Sequence, residues 1–411
     1  MSENNHKRQY DVIVWGASGF TGRLVTEYLF GKYGIGSGLR WAVAGRNQEK
    51  LEMICAELGI ASGKVPIIIA DCFDSESMQG LARDTKVVLT TVGPYAKYGS
   101  ALVEACVKQG THYCDLAGEV QWMRKMIDRF QSDAETSGAR IVHSCGFDSI
   151  PSDIGVWFLQ QEAQQHHGGP CTNVKLLVKA MKGGASGGTF ASMMNALEES
   201  RRDRNIARIL VDPYALNPDG ERSGPDGRDQ TGIEFYDGTG VWTAPFIMAA
   251  VNTRVVRRTN ALLQYPYGRD FEYSEATLSG KGPAGWMKSA AMTAGLGGFM
   301  LASSFELSRS ILVKRILPKP GEGPNKEQRK AGFFNLLLVG KLANETLIRA
   351  RVTGDRDPGY GSTCKMLSES AVCLAMDDLS STGGFWTPAS AMADELHKRL
   401  VKNAGLEFAL I

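Results

Sequence analysis

Residues 12–15 are apolar at every position (Val12, Ile13, Val14, Trp15), the pattern of a strand buried on both faces. Residues 39–44 are a second apolar run, and 65–70, 86–92, 111–116 and 140–145 read as further strands. Between them, residues 20–30, 47–58, 75–83, 100–109 and 120–136 read as helices, with Asn47 placed as a cap. Strict alternation with short connections predicts a parallel sheet covered by helices on both faces. Residues 1–150 therefore read as an α/β, doubly wound domain. Beyond them the pattern changes. Residues 174–180 and 271–278 are longer, alternating strands, and 217–240 is dense in Gly, Asp and Pro, which reads as a long surface loop. Residues 289–305 carry no charge. Residues 333–342 and 345–352 read as a hairpin joined near Asn344, 361–376 as a helix, and Thr387-Pro388 as the start of a last helix. Residues 151–385 are expected to form a second, α+β domain.

The first strand runs into Gly16-Ala17-Ser18-Gly19-Phe20-Thr21-Gly22 and then a helix, the context a dinucleotide fingerprint requires. Gly16 lets the chain turn sharply, Gly19 keeps side chains away from a pyrophosphate, and Gly22 lets the helix pack on the strand. The helix N-terminus offers N–H groups and positive dipole to the phosphates. Arg46 ends the second strand, where NAD enzymes commonly place an acid for the ribose hydroxyls, and no Asp or Glu stands between Trp41 and Arg46. An Arg there meets a 2′-phosphate and stacks on adenine, so NADP(H) is the expected cofactor; the alternative is a solvated strand cap. Asp71 reads either as an acceptor for the adenine amino group or as a turn cap.

Gly93-Pro94-Tyr95 follows the fourth strand, at the sheet edge that faces a ligand crevice. Gly93 allows close approach to the cofactor ribose. Tyr95 either lies near the nicotinamide, where it could donate a proton, or packs inside a turn. Position 99 is Gly, so Tyr95 has no Tyr-xxx-Lys partner. Asp148 and Ser149 follow the sixth strand. One of them caps the helix that Pro151 begins, or both stand over the nicotinamide and position substrate. His143 falls inside the strand pattern and reads as buried. Tyr95, Asp148 and Ser149 are the candidate catalytic residues. Hydride transfer needs no protein nucleophile, so the protein must supply orientation, a dry site and one proton source, which the sequence does not name.

Composition narrows the partners. The chain has 411 residues, 43% of them apolar, with 46 Lys plus Arg against 44 Asp plus Glu and a net charge of +2. That balance, without runs of like charge, gives no nucleic-acid signal. The polar start lacks the apolar core of a signal peptide, so a cytoplasmic protein is expected. Eight cysteines without a CxxC read as reduced thiols, and His112-x-Cys114 and His143-x-Cys145 lack partners for zinc, so no metal is expected.

Taken together, Gly16 to Gly22, Ala44-Gly45-Arg46, Val92 to Tyr95, Asp115-Leu-Ala-Gly-Glu119 and Gly146 to Asp153 resemble the saccharopine dehydrogenase-like oxidoreductases, in that family's order. The stretches 317–324, 354–360 and 383–389 are similar to its trans-acting enoyl reductase branch. The resemblance implies NADP-linked reduction, a Rossmann-type domain completed by a C-terminal helix at about 386–411, and contact with membranes. A small, lipid-like or acyl substrate reduced at a carbon–carbon double bond is expected, with a homodimer and no nucleic acid. One alternative is a saccharopine-type amino-acid dehydrogenase, which needs paired Arg residues for carboxylates. Arg201, Arg202 and Arg204, or Arg254, Arg257 and Arg258, are candidates, although their helical spacing suits a solvated face. Another is a cofactor-binding scaffold without turnover. Residues 289–305 read as a core helix, an interfacial helix or lid, or a span, and Lys314-Arg315 fits a membrane surface.

Overall fold

The computed structural model describes residues 8–36, 38–183, 187–312 and 323–411. Lys314, Arg315 and residues 317–322 of the sequence motif lie outside the described residues. The strands are β1 (Tyr10–Trp15), β2 (Trp41–Gly45), β3 (Ile67–Ile69), β4 (Thr85–Thr90), β5 (His112–Cys114), β6 (Arg140–Val142), β7 (Cys171–Lys182), β8 (Glu234–Tyr236), β9 (Val241–Pro245), β10 (Glu272–Gly280), β11 (Phe333–Leu342), β12 (Leu347–Gly354), β13 (Gly384–Trp386) and β14 (Leu406–Leu410).

They form two seven-stranded sheets, one in each of two compact units. The first unit comprises Met1–Ala117, Lys125–Gly146 and Thr363–Arg399. Its sheet runs β13-β6-β5-β4-β1-β2-β3, parallel throughout. Every residue of β1 and β2 is buried, as a strand covered on both faces requires. Asn47 caps the helix Gln48–Glu57 through Lys50 N, as its position in the sequence predicts. The helix Thr363–Met376 lies against β1, β4 and β5 and against the helix Phe20–Tyr33. Its Glu369 is fully buried and accepts from Tyr28 and Tyr33, both at 2.7 Å.

The boundaries differ from the sequence reading at both C-terminal points. Residues 363–385, expected in the second domain, belong to the first unit, where apolar positions such as Met366, Leu367 and Ala371 are sealed. The expected terminal helix ends at Arg399. Residues 400–411 belong to the second unit: Leu400–Ala404 is a single wide helical turn and Leu406–Leu410 its edge strand β14.

The second unit comprises Gly118–Arg124, Phe147–Ser362 and Leu400–Ile411. Its sheet runs β14-β12-β11-β7-β10-β9-β8, with β7 and β10 parallel and every other pair antiparallel. The helix Ile150–His167 packs on β7, β11, β12 and β14. The helix Ala249–Leu262 packs on β10 and on that first helix. The expected hairpin is β11–β12, closed by a turn in which Asn344 Oδ1 accepts from Thr346 N (3.1 Å) and Glu345 has φ +67°.

Two expectations need correction. Arg254, Arg257 and Arg258 do not form a solvated face; they are 3%, 4% and 3% exposed. The second concerns residues 217–240, which run largely exposed, as a surface loop should, but include the strand β8 and are pinned by two of their acids. Asp229 pairs with Arg254, Asp226 pairs with Arg257 Nε at 2.6 Å, and Arg258 donates to Leu216 O. Helical spacing did not show this because the acids arrive from a distant stretch of chain.

The uncharged stretch lies in one long helix, Gly282–Ser304, packed on β9 and β10. Its outer stripe of Met287, Ala291, Ala294, Gly298 and Leu301 is exposed and ends at exposed Phe305. Among the described residues no helix is long and apolar enough to cross a membrane.

Candidate functional site

The chain leaves β1 at Gly16 with φ +88°, a conformation that L side chains rarely adopt. A Cβ at Gly22 would stand 2.1 Å from Gly16 O, so only glycine lets the helix Phe20–Tyr33 close on the turn. Gly16 N and Ala17 N both donate to Ala44 O (3.0 and 3.2 Å), and Gly19 N donates to Gly16 O (2.9 Å). These bonds fix the turn against β2. Gly19 occupies the helix N-cap, and no side chain caps that end. The first-turn amides and the dipole are therefore directed at an anion supplied from outside. Ala17 is buried, Ser18 and Gly19 are exposed, and Phe20 and Thr21 are half-buried. A cradle that only glycines can close, with an uncapped helix end, fits the pyrophosphate of a dinucleotide.

At the end of β2, Ser18 Oγ lies 3.6 Å from the place a Gly45 Cβ would occupy. Arg46, the next residue, is exposed and acts electrostatically on the Cys72 thiol. Asp71 is exposed and caps its own turn: Oδ1 accepts from Phe73 N (3.0 Å) and its N–H donates to Ser77 Oγ (3.0 Å). Ser18, Arg46 and the Asp71 turn follow β1, β2 and β3, at one edge of the sheet.

Gly93 is exposed and Pro94 half-buried, whereas Tyr95 is only 4% exposed. The Tyr95 hydroxyl donates to Thr90 O (3.3 Å) and accepts from Leu116 N (3.1 Å). It ties together the chain ends that leave β4 and β5.

Sequence reasoning missed a hub at the same edge. Asp115 and His143 are the first residues after β5 and β6. Asp115 Oδ2 lies 2.7 Å from His143 Nδ1 and accepts from Tyr113 OH (2.9 Å); Oδ1 accepts from Ala117 N (2.9 Å) and Ser144 N (3.0 Å). Ser144 is held at φ +62°, a strained conformation for a side chain other than glycine. The available signal was position: each residue directly follows a strand end that faces ligand in such sheets.

In the second unit Ser149 occupies the N-cap of the helix Ile150–His167, but its hydroxyl does not cap. It donates instead to Asn252 Oδ1 (3.1 Å), and Asn252 Nδ2 donates to Glu275 Oε2 (2.9 Å). Tyr273 OH donates to Glu275 Oε1 (2.7 Å). Burial pushes the Glu275 carboxyl up to about 7 against the pull of the hydrogen bonds from Ser152, Tyr273 and Asn252. Asp148 is half-buried, and burial pushes its carboxyl up to about 6. Arg201, Arg202 and Arg204 are exposed, and Arg202 pairs with Glu198. Among the described residues, no group of three or more His, Cys, Asp or Glu side chains could hold a metal ion.

Residues 12–142 match the saccharopine dehydrogenase NADP binding domain. The chain is 40% identical over 405 residues to a putative trans-acting enoyl reductase of Mycobacterium tuberculosis, covering 96% of each. It is 35% identical over 406 residues to a trans-acting enoyl reductase of Mycobacterium ulcerans, again covering 96% of each. Among solved structures it is similar to apo saccharopine dehydrogenase (L-Glu forming) from Saccharomyces cerevisiae, with a TM-score of 0.51 and 10% identity, covering 97% of this chain and 99% of that one. That last likeness shows the fold alone.

Proposed function

Because the chain belongs to the trans-acting enoyl reductase family, we propose that it reduces a carbon–carbon double bond in an acyl or other lipid-like substrate. The chain is an NADP-dependent oxidoreductase, and NADP(H) binds its residues 12–142. The double-bond reading is carried by likeness that runs over 96% of the chain and so includes the substrate half. A lipid-like substrate is supported by the helix Gly282–Ser304, whose single charge is Lys288 and whose Met287 and Leu301 are 59% and 62% exposed. The same face suits peripheral contact with a membrane.

A dinucleotide bound here would supply the hydride. Gly16, Gly19, Gly22 and the first-turn amides of Phe20–Tyr33 would hold its pyrophosphate. Ser18 and Arg46 would hold the 2′-phosphate, Arg46 by its charge and fork of donors. Tyr95 and Asp115 fix the chain ends that leave β4, β5 and β6. Asp148 and Ser149, in the second unit, are the candidates for substrate contact, and Ser149 is anchored by Asn252. An amino-acid substrate is less well supported, because Arg254 and Arg257 are already spent on Asp229 and Asp226.

The test follows NADPH by absorbance with two substrates: its loss with a long-chain enoyl thioester, and its formation from NADP with saccharopine. Turnover of the thioester alone is expected. Turnover of saccharopine alone would overturn the reading.

A further inference from the structure

We propose that Phe73, steadied by Tyr98, is the surface on which the adenine ring of NADP(H) stacks. The assignment rests on the reading above that puts the 2′-phosphate at Arg46. Phe73, Tyr98 and Arg46 all belong to the first unit.

Among the described residues Phe73 is the most exposed of the large apolar side chains, at 72%. A single exposed apolar side chain is ordinary on a protein surface. Phe73 differs in being fixed, and in where it is fixed. Strand β3 pairs with β2, Ile69 opposite Gly45, and Ala70 N donates to Gly45 O (3.1 Å). The chain therefore leaves β2 through Arg46 and leaves β3 through Asp71 to Phe73 at one edge of the sheet, the edge that receives ligand in such folds. Arg46 is close enough to act electrostatically on Cys72, the residue before Phe73. The turn itself is pinned on both sides of the ring. Asp71 Oδ1 accepts from Phe73 N (3.0 Å), Asp71 O accepts from Asp74 N (3.0 Å), and Asp74 Oδ1 accepts from Glu76 N (3.0 Å). Asp71 thus shapes the turn that presents Phe73.

Tyr98 sets the orientation of the ring. The helix Ser75–Arg83 packs along the helix Ser100–Gln109, which brings together the residues that lead into each. The rings of Phe73 and Tyr98 meet edge to face, with centroids 5.9 Å apart and planes at 77°. Tyr98 holds Phe73 without covering it, and the exposed phenyl surface stays available for stacking.

Adenine is the part of the dinucleotide that this surface suits. The pyrophosphate and the 2′-phosphate need donors and positive charge, which the Gly16–Gly22 turn and Arg46 supply. Adenine is planar and uncharged, and its faces gain most from a flat apolar partner out of water. The ring beside Arg46 is such a partner.

Phe73→Ala and Phe73→Tyr test this by calorimetric titration, which reads binding without turnover. The probes are NADPH, NADH and 2′,5′-ADP, the adenosine half of the cofactor. Phe73→Ala should weaken NADPH and 2′,5′-ADP by one common factor, on the order of 10- to 100-fold, the worth of one base–aromatic stack. The ratio of NADPH to NADH affinity should stay at the wild-type value, because both carry adenine, whereas Arg46→Ala lowers that ratio. Phe73→Tyr keeps a ring and should bind 2′,5′-ADP nearly as wild type does. Cofactor-free Phe73→Ala should melt with wild type, because so exposed a ring adds little to the core. A Phe73→Ala variant that binds 2′,5′-ADP as tightly as wild type, or a Phe73→Tyr variant that loses as much as Phe73→Ala, overturns the assignment. Wild type that binds NADPH but not 2′,5′-ADP overturns the placement of the adenosine half, and the stack with it. The double-bond reading is decided separately, by turnover of the thioester.

Discussion

The proposed preference for NADPH turns on Arg46. It is exposed directly after β2, with no acid between it and Trp41. Arg46→Ala should weaken NADPH binding by about 1.5–3 kcal/mol, the worth of a charge-assisted contact, and leave NADH nearly unchanged. Calorimetric titration of both cofactors checks this, and equal losses would contradict it. Single residues were legible in the sequence where backbone chemistry dictates them. Gly16 and Gly22 are such cases, because a positive φ and a 2.1 Å approach admit nothing larger. Residues whose meaning depends on a distant partner were not legible. His143 reads as a plain core side chain until Asp115 is placed 2.7 Å away, and Ser149 reads as a cap until Asn252 is placed at 3.1 Å.

At the scale of elements, the helix Ala249–Leu262 shows where periodicity fails. Its arginines recur at a spacing typical of a wet face, yet they anchor the 217–240 stretch through buried pairs. Arg257→Ala leaves Asp226 buried without its cation, and a loss of about 3–5 kcal/mol is expected in denaturant unfolding. A loss below about 1 kcal/mol would place the pair with ordinary surface bridges. The helix Gly282–Ser304 behaves in the opposite way. Met287 and Leu301 lie on its exposed stripe, so changing both to Ser should cost little stability. It should nevertheless reduce flotation with anionic vesicles. A large drop in melting temperature, or parent protein that never floats, would return the stripe to a plain structural role.

For the whole molecule, the parallel sheet was legible because buried strands alternate with helices from the first residues onward, and short connections leave few topologies. The second sheet was only partly legible. Its hairpin β11–β12 is local, whereas β7–β10 and β12–β14 pair strands far apart in sequence. The interleaving of the two units was hidden for the same reason: β13 returns to β6 across more than half the chain. The chemistry proposed for the assembled molecule is reduction of an acyl double bond, with hydride from NADPH and a proton from the protein. The direct measurement is mass spectrometry of a long-chain enoyl thioester after incubation with NADPH deuterated at the transferring position, in ordinary water. The account predicts a saturated acyl chain carrying one deuterium and one new protium on adjacent carbons. An acyl chain recovered unsaturated and unlabelled, from protein that binds NADPH, would contradict it.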